Sequence, residues 1–272
     1  MSSTVHPLAR PLPAVGAKLS RQVTATLSEH ELLGEGDRVL VAVSGGKDSA
    51  TLLDLLERSR RRAPFQFSLV AVHLDQVQPG HDPEPLRAWL EELGVEHEIL
   101  RRDTYSKVLE VTPAGKSYCS ACSRMRRGIL YNAAERHGCN VVALGHHRDD
   151  ALETLMMNLF HVGKLQAMPA GYQTDDGRFR VIRPLIECAE ADIAEQVQLA
   201  GYPILPCRLC GSQDGMRRDA MTKLLDELEA DYPSVRSVML SAIKNVKASH
   251  LLDRDLNRRL GGELPAESDH GS

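Results

Sequence analysis

Arg38–Ser49 reads RVLVAVSGGKDS, and its two halves differ in texture. The first, Arg38–Val43, is a short apolar run bounded by Asp37 and Ser44, the pattern of a buried strand. The second places two glycines, a lysine, a carboxylate and two hydroxyls in Ser44-Gly45-Gly46-Lys47-Asp48-Ser49, and Ala50–Arg58 beyond it is helical in character. Gly45 and Gly46 reach backbone angles closed to other residues and leave room for a ligand to touch the main chain. Unpaired N–H groups at the start of the following helix, with the hydroxyls of Ser44 and Ser49, suit phosphate oxygens, and Lys47 adds a point charge. Asp48 is informative, because a carboxylate beside phosphates makes sense chiefly when Mg²⁺ lies between them. The spacing is neither the mononucleotide loop GxxxxGK[ST] nor the dinucleotide GxGxxG. The bland alternative is a tight strand-to-helix link with no ligand.

The same alternation repeats outward from this loop. Lys18–Leu33 is predicted helical and ends at Gly34, while Phe67–His73 is a second strand with Leu74-Asp75 at its carboxyl end. Asp82 and Pro83 suit the start of a helix that runs to Leu93, and Val95–Leu100 is a third strand. Ser123–His137 is helical up to Gly138, and Asn140–Leu144 is a fourth strand. Gly145-His146-His147 then leads into a helix from Asp149 to His161. Strand and helix alternating with short links predict an α/β fold, an open parallel sheet with helices on both faces. Residues 163–180 read as loop, Val181–Leu185 as an edge strand, and Glu190–Ala200, Met216–Glu229 and Val235–Asn245 as helices around a cysteine-bearing turn at Pro203–Ser212. The Pro-rich first fifteen residues and the last dozen are expected to be loose.

The 272 residues are 42% apolar and 26% charged, which excludes a disordered or collagen-like chain. A formal charge of −4 gives no global basic excess. The charge is uneven, however: acidic side chains dominate residues 75–98 and basic ones residues 101–137, so a local basic face for a polyanion is expected. No apolar run is long enough for a membrane span, and the N-terminus lacks a secretory pattern, so the expected location is the cytoplasm with no membrane partner.

Two further constellations carry chemistry. Gly145-His146-His147-Arg148-Asp149-Asp150 is followed one turn on by Glu153 and Thr154. On a helix, Asp149/Asp150 and Glu153/Thr154 share a side, which suits Mg²⁺ and a nucleotide as well as a solvated acidic first turn. Four of six cysteines form the pairs Cys119/Cys122 and Cys207/Cys210. Four such thiolates serve zinc or an iron–sulfur cluster equally well, and one pair alone would serve as a redox dithiol. Cys139 and Cys188 read as structural.

SGGKDS and GHHRDD together resemble the PP-loop ATP pyrophosphatase superfamily, whose members adenylate a substrate and release pyrophosphate. HLDQ at 73–76, CSxCSRxRRGILY from Cys119 to Tyr131, DDGRFRVIRPL at 175–185, PCxLCGSQ at 206–213 and SHLLDRDL at 249–256 narrow the resemblance to the tRNA 2-thiocytidine synthetase family, over roughly residues 15–256. The resemblance implies a helical extension at 1–35, an ATP pyrophosphatase domain at 36–186, a helical segment at 187–256 and a flexible tail at 257–272. It implies ATP- and Mg²⁺-dependent thiolation of cytidine-32 in the tRNA anticodon loop, by adenylation of the C2 oxygen. Lys47, Asp48, Asp149 and Asp150 would be catalytic, and Ser44, Gly45, Gly46, Lys47, Asp48, Ser49, Asp75, Gly145 and His146 would hold the nucleotide. A [4Fe–4S] cluster would rest on Cys119, Cys122 and a third cysteine in PCRLC, with Cys210 favoured over Cys207. The implied partners are tRNA, a cysteine desulfurase or other sulfur donor and, as an option, a second copy of the chain in a homodimer. Arg124, Arg126 and Arg127, with Arg178, Arg180 and Arg183, are candidate phosphate contacts. A PP-loop amidotransferase or lysidine-type ligase would leave the cysteine pairs unexplained. A zinc-stabilised RNA-binding protein would leave SGGKDS and GHHRDD unexplained.

Overall fold

The computed structural model describes residues 6–112, 118–205 and 215–260. Two compact units divide between Asp226 and Glu227. In the first, a six-stranded sheet is built from β1 (Arg38–Ala42), β2 (Ser68–Asp75), β3 (Glu96–Arg101), β4 (Val141–Ala143), β5 (Gly171–Gln173) and β6 (Arg180–Ile182), in the order β3-β2-β1-β4-β6-β5. All neighbours are parallel except β5 and β6. The α/β reading therefore holds, with an antiparallel edge added. β5 is three residues long and carries a glycine, so nothing in it marks a strand until β6 lies beside it.

Alternate residues of the central strands feed two cores, as the two-residue side-chain period requires. Val39 and Val41 of β1, Leu69 and Ala71 of β2, and Val141 and Ala143 of β4 pack with α1 (Ala14–Glu29), α2 (Lys47–Arg60), α3 (Glu84–Leu93) and α7 (Glu190–Ala200). Leu40, Val70, Val72 and Val142 pack on the other face with Leu130, Ala133 and Ala134 of α5 (Cys119–Arg136). Continuous apolar strands are what burial on both faces demands. Two short helices complete this region: α4 (Thr104–Val111), capped by Asp103 on the Ser106 N–H at 2.9 Å, and α6 (Arg148–Met157). The expected helical run to His161 changes after Met157 into a π-helical turn, Asn158–Val162, ended by Gly163 at φ +71°.

The N-terminal stretch is more fixed than its prolines suggest. The Arg58 guanidinium donates to the carbonyls of Pro7, Leu8 and Arg10 at 3.1–3.3 Å and pairs with Asp54, while Leu8 and Leu12 lie against the core. α8 (Gly215–Asp231) spans the division between the units, and α9 (Val235–Lys244) and α10 (Arg254–Arg259) belong to the second. Among the described residues no helix is long and apolar enough to cross a membrane.

Asp37 ties the amino ends of three strands. It accepts from the Gly34 N–H and from Asn140 Nδ2, each at 2.7 Å, and pairs with Arg180 at the start of β6. Asp37→Ala strands all three donors, and we expect it to cost about 3–5 kcal/mol. The check is a lowered urea midpoint at an unchanged slope; a midpoint equal to the parent's would show that these bonds do not hold the strands.

Candidate active site

β1 and β4 are adjacent, but the chain leaves β1 for β2 on one side and reaches β6 from β4 on the other. The carboxyl ends of β1 and β4 thus flank a topological switch point, where open α/β sheets bind ligands. Both glycine motifs emerge there. After β1 the loop closes on itself: Ser49 Oγ donates to the Gly46 carbonyl at 3.0 Å and receives the Ser44 N–H at 3.1 Å. Gly45 sits at φ +85°, and a Cβ on it would lie 2.9 Å from Leu205 Cβ. Leu205 in turn donates its N–H to the Gly45 carbonyl at 2.8 Å. Gly46 is the N-cap of α2 and makes no side-chain cap, so first-turn N–H groups of α2 remain for an anion.

Lys47 Nζ lies 2.8 Å from Glu190 Oε1 and 3.0 Å from Asp48 Oδ1. Burial works against the ammonium, but the bonds to Glu190 and Asp48 prevail and raise it above the usual lysine value, so it is charged at neutral pH. Its hydrogen bond to Asp48 goes to Oδ2 at 3.3 Å. Asp48 Oδ1 is buried, with the Lys47 ammonium 3.0 Å away and His147 Nε2 at 3.8 Å.

The second motif packs directly on the first. A Cβ on Gly145 would lie 3.1 Å from the Asp48 carbonyl carbon and 3.1 Å from the Ser49 nitrogen, both backbone atoms that cannot turn aside. His147 caps α6 reciprocally with Asp150, whose Oδ2 accepts the His147 N–H at 3.0 Å. His147 Nε2 lies 3.8 Å from Asp48 Oδ1 and 3.5 Å from Asp150 Oδ2, bridging the two motifs. Asp149 is differently employed: its carboxylate accepts from Arg148 at 3.1 Å and from the Glu190 N–H at 2.8 Å, joining α6 to α7. Glu153 is buried one turn further, accepting from Thr222 Oγ1 at 2.6 Å and lying 3.2 Å from Arg218 Nε. Burial, outweighing Thr222 and Arg218, raises its carboxyl above the ordinary range.

At the end of β2, Asp75 accepts the Val77 N–H at 2.8 Å and holds Val77 in the left-handed region, φ +61°, a strained place for a β-branched residue. The turn seats Gln76, whose Oε1 accepts from Thr104 at 3.2 Å and from Cys122 Sγ at 3.3 Å. Cys122 is buried and also receives Arg126 Nη2 at 3.7 Å. Cys119 opens the same helix one turn earlier. Its side chain, and both Cys207 and Cys210, lie outside the described residues. Cys139 and Cys188 are buried, and burial pushes their thiols up to about 11 and about 12, which keeps them protonated.

These features define the class. The sequence pattern of the PP-loop domain family matches residues 16–203, more than half of the chain, and the observed fold is that of the PP-loop ATP pyrophosphatase superfamily. The chain belongs to the tRNA-cytidine(32) 2-sulfurtransferase family within it, and is an ATP-dependent sulfurtransferase acting on tRNA. It is 51% identical to the tRNA-cytidine(32) 2-sulfurtransferase of Anaeromyxobacter dehalogenans (strain 2CP-C), across 89% of this chain and 84% of that one. It is 48% identical to the Deinococcus radiodurans enzyme of that name, across 94% and 86%. Among solved structures, the fold resembles the U34-tRNA thiolase NcsA from Methanococcus maripaludis, described with its [4Fe–4S] cluster, at a TM-score of 0.66 and 21% identity over 91% of this chain and 88% of that one.

The six candidate RNA arginines separate. Arg124 and Arg127 are exposed on α5. Arg178 pairs with Asp176 and Glu135, and Arg180 with Asp37. Arg183 is buried, lying over the Tyr172 ring and donating to the Pro169 carbonyl at 2.9 Å and to His146 Nδ1 at 3.4 Å. Sequence reasoning missed Glu190, Gln76, Arg218 and Thr222 as site neighbours. Gln76 had an advance signal in HLDQ at 73–76, where it directly follows Asp75 at a strand end.

Burial, opposed by Asp150 and aided by Arg183, brings the His146 imidazole down to about 4 from an ordinary 6.5. Between those values the unfolded chain binds the proton and the folded one does not, so stability is complete above pH 6.5 and falls as the pH drops toward 4. Thermal unfolding over that window should be less pH-dependent in His146→Gln than in the parent. Identical slopes would mean that His146 titrates normally.

Proposed function

We propose that the enzyme adenylates the C2 oxygen of cytidine-32 in the tRNA anticodon loop and replaces that oxygen with sulfur. The observation that carries this reading is the packing of the two glycine motifs on each other, which sets the Asp48 carboxylate between the loop after β1 and the amino end of α6 in a chain of this family. Asp48 and Asp150 are the carboxylates that suit Mg²⁺ there, while Asp149 acts by fixing α7 and so the placement of Glu190. When bound, Mg²⁺ supplies charge neutralisation for the departing pyrophosphate. Lys47 and the first-turn amides of α2 hold the phosphates, and Ser44 and Ser49 keep the loop shut around them. The C2 oxygen of a pyrimidine leaves poorly; bonded to the α-phosphorus of ATP it leaves as AMP. Sulfur at the sulfide level, released from the donor's persulfide by a two-electron reductant such as a thiol, then forms the C2–S bond as the C2–O bond breaks, and AMP carries the oxygen away.

The cysteines suit a cluster. Cys119 and Cys122 lie one turn apart at the amino end of α5, where the helix dipole favours thiolates, and Arg126 adds positive charge beside Cys122 Sγ. With the third ligand in PCRLC, at Cys210, a [4Fe–4S] cluster would keep one iron for the sulfur supplied by a cysteine desulfurase or other donor. Gln76 Oε1 accepts from the Cys122 thiol; once that proton is given up for an iron-bound thiolate, the Gln76 amide would turn its Nε2 toward the sulfur, and the turn that Asp75 holds places Gln76 for either role. The exposed Arg124 and Arg127 on this helix are suited to anticodon-loop phosphates.

Two measurements test the reading. Asp48→Ala should lower tRNA-dependent pyrophosphate release by about a hundredfold or more while iron content and tRNA affinity stay near the parent's; parental ATP turnover in that variant would sink the assignment. Anaerobically purified parent protein should contain iron and sulfide. Cys119→Ala, Cys122→Ala and Cys210→Ala should each lose both together with thiolation, and Cys207→Ala should retain them. Stoichiometric zinc without iron would remove the cluster and leave the nucleotide chemistry standing.

Arg124→Ala and Arg127→Ala should each weaken tRNA binding and lower its salt dependence by about one counterion. Affinities equal to the parent's across a salt series would place the RNA path elsewhere.

A further inference from the structure

α8 has no role in the chemistry above, yet one face of it is fastened to the nucleotide site. Arg218, Met221, Thr222 and Leu225 recur at three- and four-residue spacing. Met221 and Leu225 are buried. Arg218 reaches Glu153 Oε2 at 3.2 Å and Asp150 Oδ1 at 3.8 Å, and Thr222 donates to Glu153 Oε1 at 2.6 Å. From there His147 stands between α6 and the phosphate loop, its Nε2 3.5 Å from Asp150 Oδ2 and 3.8 Å from Asp48 Oδ1. The chain is anchored to the same loop earlier, by the Leu205 N–H on the Gly45 carbonyl at 2.8 Å. Between these two anchors the sequence carries Cys207 and Cys210.

Resting on the nucleotide reading above, we propose that Arg218 and Thr222 are positioning residues that couple occupancy of the phosphate loop to the seating of α8. Glu153 cannot be an ordinary surface carboxylate, because it is buried and both of its oxygens are committed to α8. Arg218 is half-exposed and lies 3.8 Å from Asp150 Oδ1, so its guanidinium joins α8 to the first turn of α6. Nucleotide phosphates add negative charge on the Asp150 side and fix His147 and Asp150, which tightens the hold on the guanidinium. A helix that follows one cysteine pair would in this way be set by the same ligand that activates the base. By linkage, whatever ATP does for α8, α8 must do for ATP affinity.

Hydrogen–deuterium exchange on the full chain, purified anaerobically, with and without ATP and Mg²⁺, tests this. ATP should slow exchange at residues 44–50 and, by about fivefold, at residues 218–226. In the double variant Arg218→Ala/Thr222→Val the effect at 44–50 should persist, the effect at 218–226 should vanish, and ATP should bind about fivefold more weakly. Arg218→Lys should restore part of both. Slowing at 44–50 alone in the parent, or undiminished slowing at 218–226 in the double variant, would overturn the coupling. No effect at 44–50 in the parent would remove the nucleotide reading and this inference with it. Where the double variant loses α8 without nucleotide, Thr222→Val alone must show a reduced ATP effect, and an effect equal to the parent's refutes the proposal.

Discussion

The structure depends on one steric constraint, the contact of Gly145 with the backbone of Asp48 and Ser49. Any side chain at 145 would press on a peptide group at 3.1 Å, and that group, held in the first turn of α2, would have to shift by a few tenths of an ångström to admit it. With a glycine there, the loop after β4 lies flat on the start of α2. The amino end of α2 then lies against that of α6, which is already closed by the His147–Asp150 capping box and by the Arg148 N–H on the Cys188 carbonyl, so the open N–H groups are those of α2. The remaining polar geometry follows from that approach. His147 reaches both Asp48 and Asp150, Lys47 reaches Glu190, and Asp149 accepts the backbone of α7.

A site that concentrates Asp48, Asp149, Asp150, Glu153 and Glu190 would repel itself without countercharge. Countercharge and hydrogen bonds are distributed among them, and Asp150 accepts the His147 N–H. Lys47 lies between Asp48 and Glu190, Arg148 pairs with Asp149, and Arg218 with Thr222 serves Glu153. One lysine shared by Asp48 and Glu190 leaves a net negative charge beside the loop, which suits a cation.

What the sequence disclosed, and what it concealed, follows from the range of the interactions. β1, β2, α2, α5 and α6 were legible because each is coded locally, by apolar runs, by glycines at loops or by a cap. The α/β class, the phosphate loop and the pairing of SGGKDS with GHHRDD could be read for the same reason. α4 and β5 could not: one depends on the Asp103 cap over a polar stretch, the other on a three-residue partnership with β6. The arginines of the DDGRFRVIRPL stretch misled most. A sequence shows their charge but not that Arg180 is neutralised by Asp37, more than a hundred residues earlier, or that Arg183 is buried over Tyr172. Glu190 was invisible because its partner Lys47 is distant in the chain.

The same distinction separates two kinds of constraint on Cys122. The CxxC spacing places it one turn from Cys119, which is local and readable. Its orientation is not, since Gln76 sets it from the end of β2, and Gln76 is set by a turn in which Asp75 holds Val77 at a positive φ. A strained residue persists only where its surroundings over-determine it. Here the gain lies in fixing a sulfur to a strand end of the same sheet that carries the phosphate loop. β2 is hydrogen-bonded to β1 in register through Ala42 and Val72, one residue before Val43 and His73, and His73 accepts no freedom there: its Nδ1 donates to the Val43 carbonyl at 2.8 Å. Thiol and phosphate loop are thereby referenced to adjacent strands of one rigid sheet and not to flexible connections.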